Sequence, residues 1–391
     1  MIAAAFLCLA GVALLLAAAQ AVGLRLHLRA PAPEPRSRPF ISILKPLCGA
    51  DDDLWRNLRS FTRLRYPAYE VLLGVKDTRD PAHDLALQAA RRWPERVRVV
   101  LQRSAPGLNP KVNQLITLCA AARGELLVVS DSNVRVGRDY LRGVAAAFDD
   151  PRVGLVTHPV AGIGERTAGA LFDNLNLCGS IAPGVASAKR IAGKDLVIGK
   201  SMALRRDDLR AMGGFERLKD VLAEDFISGR IVTRELGKKV VLAAQPVFNV
   251  SRSQCLAEFF LRYLRWSVMQ RKAVGNAAYA CQILLNPVAL ATAGLLAAPG
   301  RKTALGLGIV ALARSALHQW SGRALRGRGF AGFCLFAPVT DLLIACAWAA
   351  GLFRSEICWR GNRLRVRQGT RLEQPPVPGF AGTGDEAILQ G

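Results

Sequence analysis

Four short segments carry the residue types and spacings from which chemistry can be built. In chain order they are Val75-Lys76-Asp77-Thr78-Arg79-Asp80, Val129-Ser130-Asp131-Ser132-Asn133, Ala223-Glu224-Asp225-Phe226 and Arg262-Tyr263-Leu264-Arg265-Trp266. The first two put carboxylates at the end of an apolar, strand-like run, the edge of an open α/β sheet where ligands bind. Asp131, with Ser132 or Asn133 beside it, can hold magnesium or manganese, since such ions need only one or two protein carboxylates plus phosphate oxygens and water. Asp-Ser-Asn is equally good turn chemistry. Asp80 precedes Pro81 and also suits the N-cap of a helix that opens with proline. Asp225 lies beside Glu224 at a helix start, where paired carboxylates either raise one pKa toward that of a working base or simply answer the helix dipole. Arg262 and Arg265 are three apart, on one face of a helix, and paired guanidiniums suit a diphosphate. Trp266 suits a sugar face or an apolar acceptor, although Arg and Trp together also anchor helices at a membrane surface. Lys111, in Asn109-Pro110-Lys111-Val112-Asn113, is a further phosphate ligand by type.

These types match the needs of sugar transfer from a nucleoside diphosphate. The leaving diphosphate must be neutralised, the nucleotide held, and a proton removed from the acceptor hydroxyl as it attacks the anomeric carbon.

The apolar pattern predicts the scaffold on which these residues sit. Strands are expected at 40–46, 69–76, 97–101, 125–130, 153–159, 200–204 and 239–244. Helices fit near 54–63, 81–92, 111–122, 138–148, 166–177, 206–212 and 223–236. Such alternation argues for an α/β domain with a mostly parallel sheet over residues 40–250. Before it, residues 1–24 form an apolar run long enough to cross a hydrocarbon core about 30 Å thick. No positive charge precedes that run, and Arg25, Arg29, Arg36 and Arg38 come directly after it. This favours an uncleaved anchor over a signal peptide and places Arg25 to about Lys272 in the cytoplasm. Residues 25–39 read as a basic, proline-rich linker, and 251–272 as an interfacial amphipathic segment. Residues 273–354 hold two to three membrane segments, and 355–391 a basic tail. Three crossings would put the arginine-rich tail outside, against the charge rule; two keep it inside. Asp341 lies in an apolar run, either as a costly functional carboxylate or in the first turn of a helix opened by Pro338.

Composition agrees. A net charge of +23 on 391 residues with 51% hydrophobic residues suits a membrane protein with basic cytoplasmic flanks. Nucleic acid is not an expected partner, because the basic residues sit beside apolar runs and no nucleic-acid motif is visible. The nine cysteines are scattered without a C-x-x-C pair, which points away from a zinc site or disulfide framework.

Taken in order, the motifs resemble the ceramide glucosyltransferase family, family 21 of the glycosyltransferases, from about Ile41 to Arg365. That family carries three aspartates followed by (Q/R)-x-x-R-W, and Asp80, Asp131, Asp225 and Arg262-Tyr263-Leu264-Arg265-Trp266 are similar to that series. Further similarity lies in Leu44-Lys45-Pro46-Leu47-Cys48-Gly49, Gly199-Lys200-Ser201-Met202, Pro338-Val339-Thr340-Asp341 and Trp359-Arg360-Gly361. The resemblance implies a GT-A fold and an inverting transfer from a UDP-sugar to a lipid hydroxyl, giving a β-glycoside. It implies that Asp225 is the catalytic base, that Asp80, Asp131, Lys111, Arg262, Arg265 and Trp266 bind the donor, and that Asp131 meets a Mg2+ or Mn2+ ion. Asn133 stands where a full D-x-D motif would have its second aspartate. The acceptor implied is ceramide, or a hopanoid such as bacteriohopanetetrol, and the sugar glucose or N-acetylglucosamine. Alanine and arginine richness suits a bacterial protein, hence an inner-membrane location. A processive synthase of the cellulose or hyaluronan type shares the aspartates and Q-x-x-R-W, and is the alternative.

Overall fold

The computed structural model describes residues 1–375 except Ala32 and Asp51; the expected tail beyond residue 375 lies outside the described residues. Its centre is a seven-stranded sheet in the order Val97–Leu101, Tyr69–Val75, Ile41–Pro46, Leu126–Ser130, Ser201–Arg205, Val153–Thr157, Lys239–Leu242. Ser201–Arg205 runs antiparallel to both neighbours and every other pairing is parallel. The inner strands are buried on both faces because helices cover both, which is why they read as near-continuous apolar runs. Side-chain alternation sorts them: Ile43, Val71 and Val128, in register, enter one core, while Leu44, Leu72 and Val129 enter the other.

Two further sheets have no counterpart in the sequence-based expectation. One pairs Val134–Arg135 and Val160–Ile163 on either side of Val247–Val250. The other joins Glu356–Trp359, Asn362–Val366 and Leu372–Glu373, in the stretch expected to be a basic tail. Strands this short carry too little alternation to be told from loop. The helix Ala168–Asn176 also continues past its expected end, through a π-helical turn at Leu177–Ile181 into Ala182–Ala192.

Among the described residues two helices, Ile2–Leu28 and Ala331–Phe353 with its opening 3-10 turn, are long and apolar enough to cross a membrane. Asn276–Leu285 and Pro287–Ala297, bent by 81°, add a third if they act as one span. Arg271 Nη2 donates to the carbonyl of Arg354 (2.6 Å), just past the last membrane helix, and Leu372 N donates to Asp220 O (2.7 Å). The C-terminal sheet therefore sits on the same side as the α/β domain.

The helix Arg301–Arg326 holds Arg314 against Asp341 of Ala337–Phe353, Nε to Oδ2 at 2.7 Å and Nη2 to Oδ1 at 3.3 Å. Arg314 also reaches the π turn, donating to Gly179 O (3.2 Å) and Ser180 Oγ (2.7 Å). Pro338 does open the helix, but Asp341 is buried and answered by a guanidinium rather than by the helix end. Removing one partner of such a pair strands the other charge, so Asp341→Ala should cost on the order of 3–5 kcal/mol. The apolar double variant Arg314→Met/Asp341→Leu should lose much less. Thermal unfolding midpoints in detergent check both.

Candidate active site

At the carboxyl edge of the sheet, strand Leu126–Ser130 ends in Asp131, whose two oxygens meet two ammoniums: Lys111 Nζ at 2.9 Å from Oδ1 and Lys200 Nζ at 3.2 Å from Oδ2. Lys111 comes from the first turn of helix Pro110–Ala121, opened by Pro110 and capped by Asn109, whose side chain accepts from the amides of Lys111 and Val112. The same Lys111 Nζ lies 2.7 Å from Glu224 Oε1 and donates to Gly199 O at 3.2 Å. Lys200 also donates to Asn133 Oδ1 (3.2 Å), and Asn133 Nδ2 to Asn249 Oδ1 (3.0 Å). Buried Lys45 supports the turn by donating to Asp131 O at 2.7 Å.

Asp225, in the first turn of helix Glu224–Arg234, accepts from the amide of Gly199 (2.5 Å) and from its neighbour Phe226 (2.8 Å). A Cβ at position 199 would lie 2.6 Å from Asp225 Oδ2, so only glycine lets that amide come so close.

Electrostatics separate the carboxylates. Burial, then the charge of Glu224, raise the Asp225 pKa to about 6, with Lys111 and the two amides pulling the other way. Burial also opposes ionisation of Asp131, but Lys111 and Lys200 overcome it and hold that carboxyl below the usual range. Burial lowers the Lys200 pKa, whereas for Lys111 the charges of Asp131 and Glu224 outweigh burial and raise it. One carboxylate is thus kept ionised while its neighbour's pKa is raised toward neutral pH.

The remaining candidates divide. Asp80 lies just past strand Tyr69–Val75, which Ile41–Pro46 separates from Leu126–Ser130, and its Oδ1 accepts from the amides of Gly49 and Ala82 at 2.9 Å each. It both starts the helix Ala82–Arg92 and pins the loop after the first strand. Arg262 and Arg265 project from helix Leu256–Val274 toward different partners. Arg262 Nη1 donates to Asp173 Oδ2 at 2.7 Å, while the Arg265 guanidinium lies over the Trp359 ring at 5.9 Å. Trp266 packs edge-on to Tyr263, with centroids 5.2 Å apart, and touches the cores of both the sheet and the helical region.

Two residues of this site carry no role in the sequence-based reading. Lys200 stands there only as part of the Gly199–Met202 motif. Asp173, fully buried and accepting from Arg262 and Tyr263 Oη (2.9 Å), is not among the candidates at all. Its signal is available: an acid in the apolar helix Leu171-Phe172-Asp173-Asn174-Leu175 requires a buried partner.

By type, the Asp131 carboxylate, Asn133 amide oxygen and Glu224 carboxylate are hard oxygen ligands, but both Asp131 oxygens, Asn133 Oδ1 and Glu224 Oε1 each face a lysine ammonium, so a divalent ion would take the place of one of those ammoniums. Among the described residues no three His, Cys, Asp or Glu side chains form a ready cage.

An open α/β sheet of this order with an acidic carboxyl edge is the GT-A glycosyltransferase fold. It is shared with the mannosyltransferase PcManGT from Pyrobaculum calidifontis, solved in complex with GDP-Man and Mn2+, at TM-score 0.51 and 21% identity, covering 90% of this chain and 98% of that one. The chain matches the sequence profile of glycosyl transferase family 21 over residues 5–372, and it belongs to that family. Among curated relatives, ceramide glucosyltransferase 1 of Caenorhabditis elegans is 26% identical over 236 residues, 60% of this chain. The match spans only 50% of that relative's length. Ceramide glucosyltransferase 3 of the same organism is 24% identical over 364 residues, covering 88% of this chain and 76% of the relative.

Proposed function

We propose that this protein is a membrane-bound inverting glycosyltransferase that moves one hexose from a UDP-sugar, UDP-glucose or UDP-N-acetylglucosamine, to a lipid hydroxyl, forming a β-glycolipid. The observation that carries the reading is Asp225. It is a carboxyl with its pKa raised to about 6, held on the Gly199 amide beside a paired Asp131–Lys111–Lys200 cluster.

In this reading Asp225 takes the proton of the acceptor hydroxyl while that oxygen bonds to the anomeric carbon. The bond from that carbon to the diphosphate breaks on the opposite face, which inverts the configuration. Lys111, Lys200 and Arg262 meet the charge that develops on the leaving diphosphate. Asp131 holds both lysines in place; a Mg2+ or Mn2+ ion held by Asp131 and Asn133 would take the place of an ammonium there and, when bound, would add to the neutralisation of the diphosphate. Asp80 acts on the nucleotide through the Gly49 loop. Arg265 and Trp266 complete the donor and acceptor site.

The acceptor is ceramide or a hopanoid such as bacteriohopanetetrol, drawn from the bilayer that helices Ile2–Leu28 and Ala331–Phe353 are long and apolar enough to cross. The arginines after the first helix support a cytoplasmic catalytic domain at a bacterial inner membrane. The C-terminal sheet packed on that domain supports an even number of crossings between residues 274 and 356.

The test uses membranes containing the protein, labelled UDP-glucose and UDP-N-acetylglucosamine in parallel, and either lipid as acceptor. The expected result is label in a single lipid product. Label in a polymer, with none in either lipid, would instead assign a processive synthase.

A further inference from the structure

The segment that delivers Glu224 and Asp225 is gripped from two sides. On one side stands the turn before the Lys111 helix. Leu108 N–H donates to Asp220 Oδ1 (2.8 Å), Asn109 Nδ2 to Val221 O (2.6 Å) and Asn109 N–H to Lys219 O (2.8 Å). A Cβ on Gly107 would lie 2.4 Å from Lys219 O, so the two backbones run in contact. On the other side stands the C-terminal sheet. Leu372 N–H donates to Asp220 O (2.7 Å), Leu222 N–H to Thr370 O (2.9 Å) and Ala223 N–H to Thr370 Oγ1 (3.4 Å), while Val221 bridges Arg371 antiparallel.

Thr370 holds this contact in an unfavourable shape. Its φ is +61°, next to Gly369 at +70°, and the residue is fully buried. A β-branched residue in the left-handed region is costly where glycine is at ease, and such cost persists only where the surroundings impose it. What threonine adds over glycine at this place is its hydroxyl, one hydrogen bond away from the backbone that leads into Glu224.

The same sheet reaches the other half of the site. Trp359 lies under Arg265, and Ile357, Leu364, Val366 and Leu372 form one apolar cluster with Leu222 and with Val268 from the Arg262–Arg265 helix.

We infer that the C-terminal sheet Glu356–Glu373 is a strap that positions the catalytic base, and that Thr370 is its positioning residue, acting through the amides of Leu222 and Ala223. This role rests on the reading of Asp225 as base. A shift of the order of 1 Å in a reacting group costs up to about a hundredfold in rate. Loosening the strap should therefore lower kcat far more than it changes donor KM, since Lys111 and Lys200 keep Asp131, Lys200 keeps Asn133, and Arg262 keeps Asp173.

The test compares full-length Thr370→Val, Thr370→Gly and Thr370→Ser in detergent or nanodiscs. Valine keeps the shape and removes the acceptor for Ala223 N–H, glycine removes the acceptor and frees the backbone, and serine keeps the hydroxyl. The expected result is a kcat lower by about tenfold or more for valine and glycine. Donor KM should stay within about twofold, the unfolding midpoint of the glycine variant should be no lower than wild type, and serine should restore the rate. Wild-type kcat in both the valine and glycine variants, or a loss only in proportion to unfolded protein, would overturn the strap. Asp225→Asn is run beside them. If it transfers sugar at the wild-type rate the base reading itself fails; if it is inactive while Thr370→Val and Thr370→Gly are both fully active, the strap alone is wrong.

Discussion

Asp225→Asn is expected to lower kcat by about 10²–10⁴-fold while changing donor affinity little, because asparagine keeps the size of the side chain and loses the proton acceptor. Gly199 N–H and Phe226 N–H donate to different oxygens of Asp225, so asparagine's single oxygen can keep one of these contacts while its NH2 replaces the acceptor of the other. The charged groups facing Asp225 are Glu224 from its own helix and Lys111 from the helix opposite; burial and Glu224 raise its pKa to about 6 against the opposing pull of Lys111. A base must be deprotonated, so wild-type kcat should rise with pH through about 6 and then level, and that acid limb should vanish from the residual rate of the variant. Stability moves the other way. A carboxyl with a raised folded pKa binds its proton more tightly when folded, so it favours the folded state at low pH and loses that contribution as pH rises through about 6. From pH 4 to pH 8, Asp225→Asn should therefore gain stability relative to wild type by on the order of 3 kcal/mol, on top of a pH-independent loss from the one backbone contact it cannot keep. Stopped transfer assays and unfolding curves across pH measure both limbs. An unchanged rate at pH 7.5 would remove Asp225 from the mechanism.

Lys111→Met is expected to cost about 3–5 kcal/mol of stability and to abolish transfer. Lys111 is 12% exposed and sits between Asp131 Oδ1 at 2.9 Å and Glu224 Oε1 at 2.7 Å, so its loss leaves two carboxylates in a site that water barely reaches. Lys200 still answers Asp131 at Oδ2, whereas Glu224 loses the cation held against it. With its counter-charge gone, Asp225 should titrate still higher, since Lys111 is the opposing charge that now restrains it. The pH signature separates this from a packing defect. In the wild type, Asp131 is depressed, so its contribution is present above the unfolded pKa and is lost only in strong acid. In Lys111→Met the uncompensated carboxylates should take up protons on folding, so the variant should gain stability as pH falls from 8 to 5. A variant equally destabilised at every pH would show that Lys111 is merely packed there. Lys111→Arg, which keeps the charge but not the compact geometry of an ammonium, should recover much of the stability and little of the rate.

Much of the architecture is legible because period and burial are coupled. Strands buried on both faces read as unbroken apolar runs, and each strand of the central sheet is placed to within a few residues. The antiparallel run of Ser201–Arg205 is not legible, since pairing direction leaves no mark on a single strand. The C-terminal sheet reads as basic tail because its arginines at 363, 365 and 367 mask the alternation of Ile357, Leu364, Val366 and Leu372 beneath them. At the site, residue type and spacing bring Asp131, Asp225 and Lys111 into view one at a time. They do not show that Lys111 is shared between Asp131 and Glu224, that Lys200 occupies the second oxygen of Asp131, or that Arg262 turns to Asp173 while Arg265 turns to Trp359.

The order of residues alone dictates the kinds of group available and which stretches must be strand, helix or membrane-facing, because those depend on local sterics and on the period of apolar residues. Folding alone settles which carboxylate is held ionised and which is tuned toward neutral pH. A pKa depends on the charges within a few ångströms and on the water excluded around it, and here those neighbours come from residues 111, 131, 199, 200 and 224, distant in the chain and brought to one point in space.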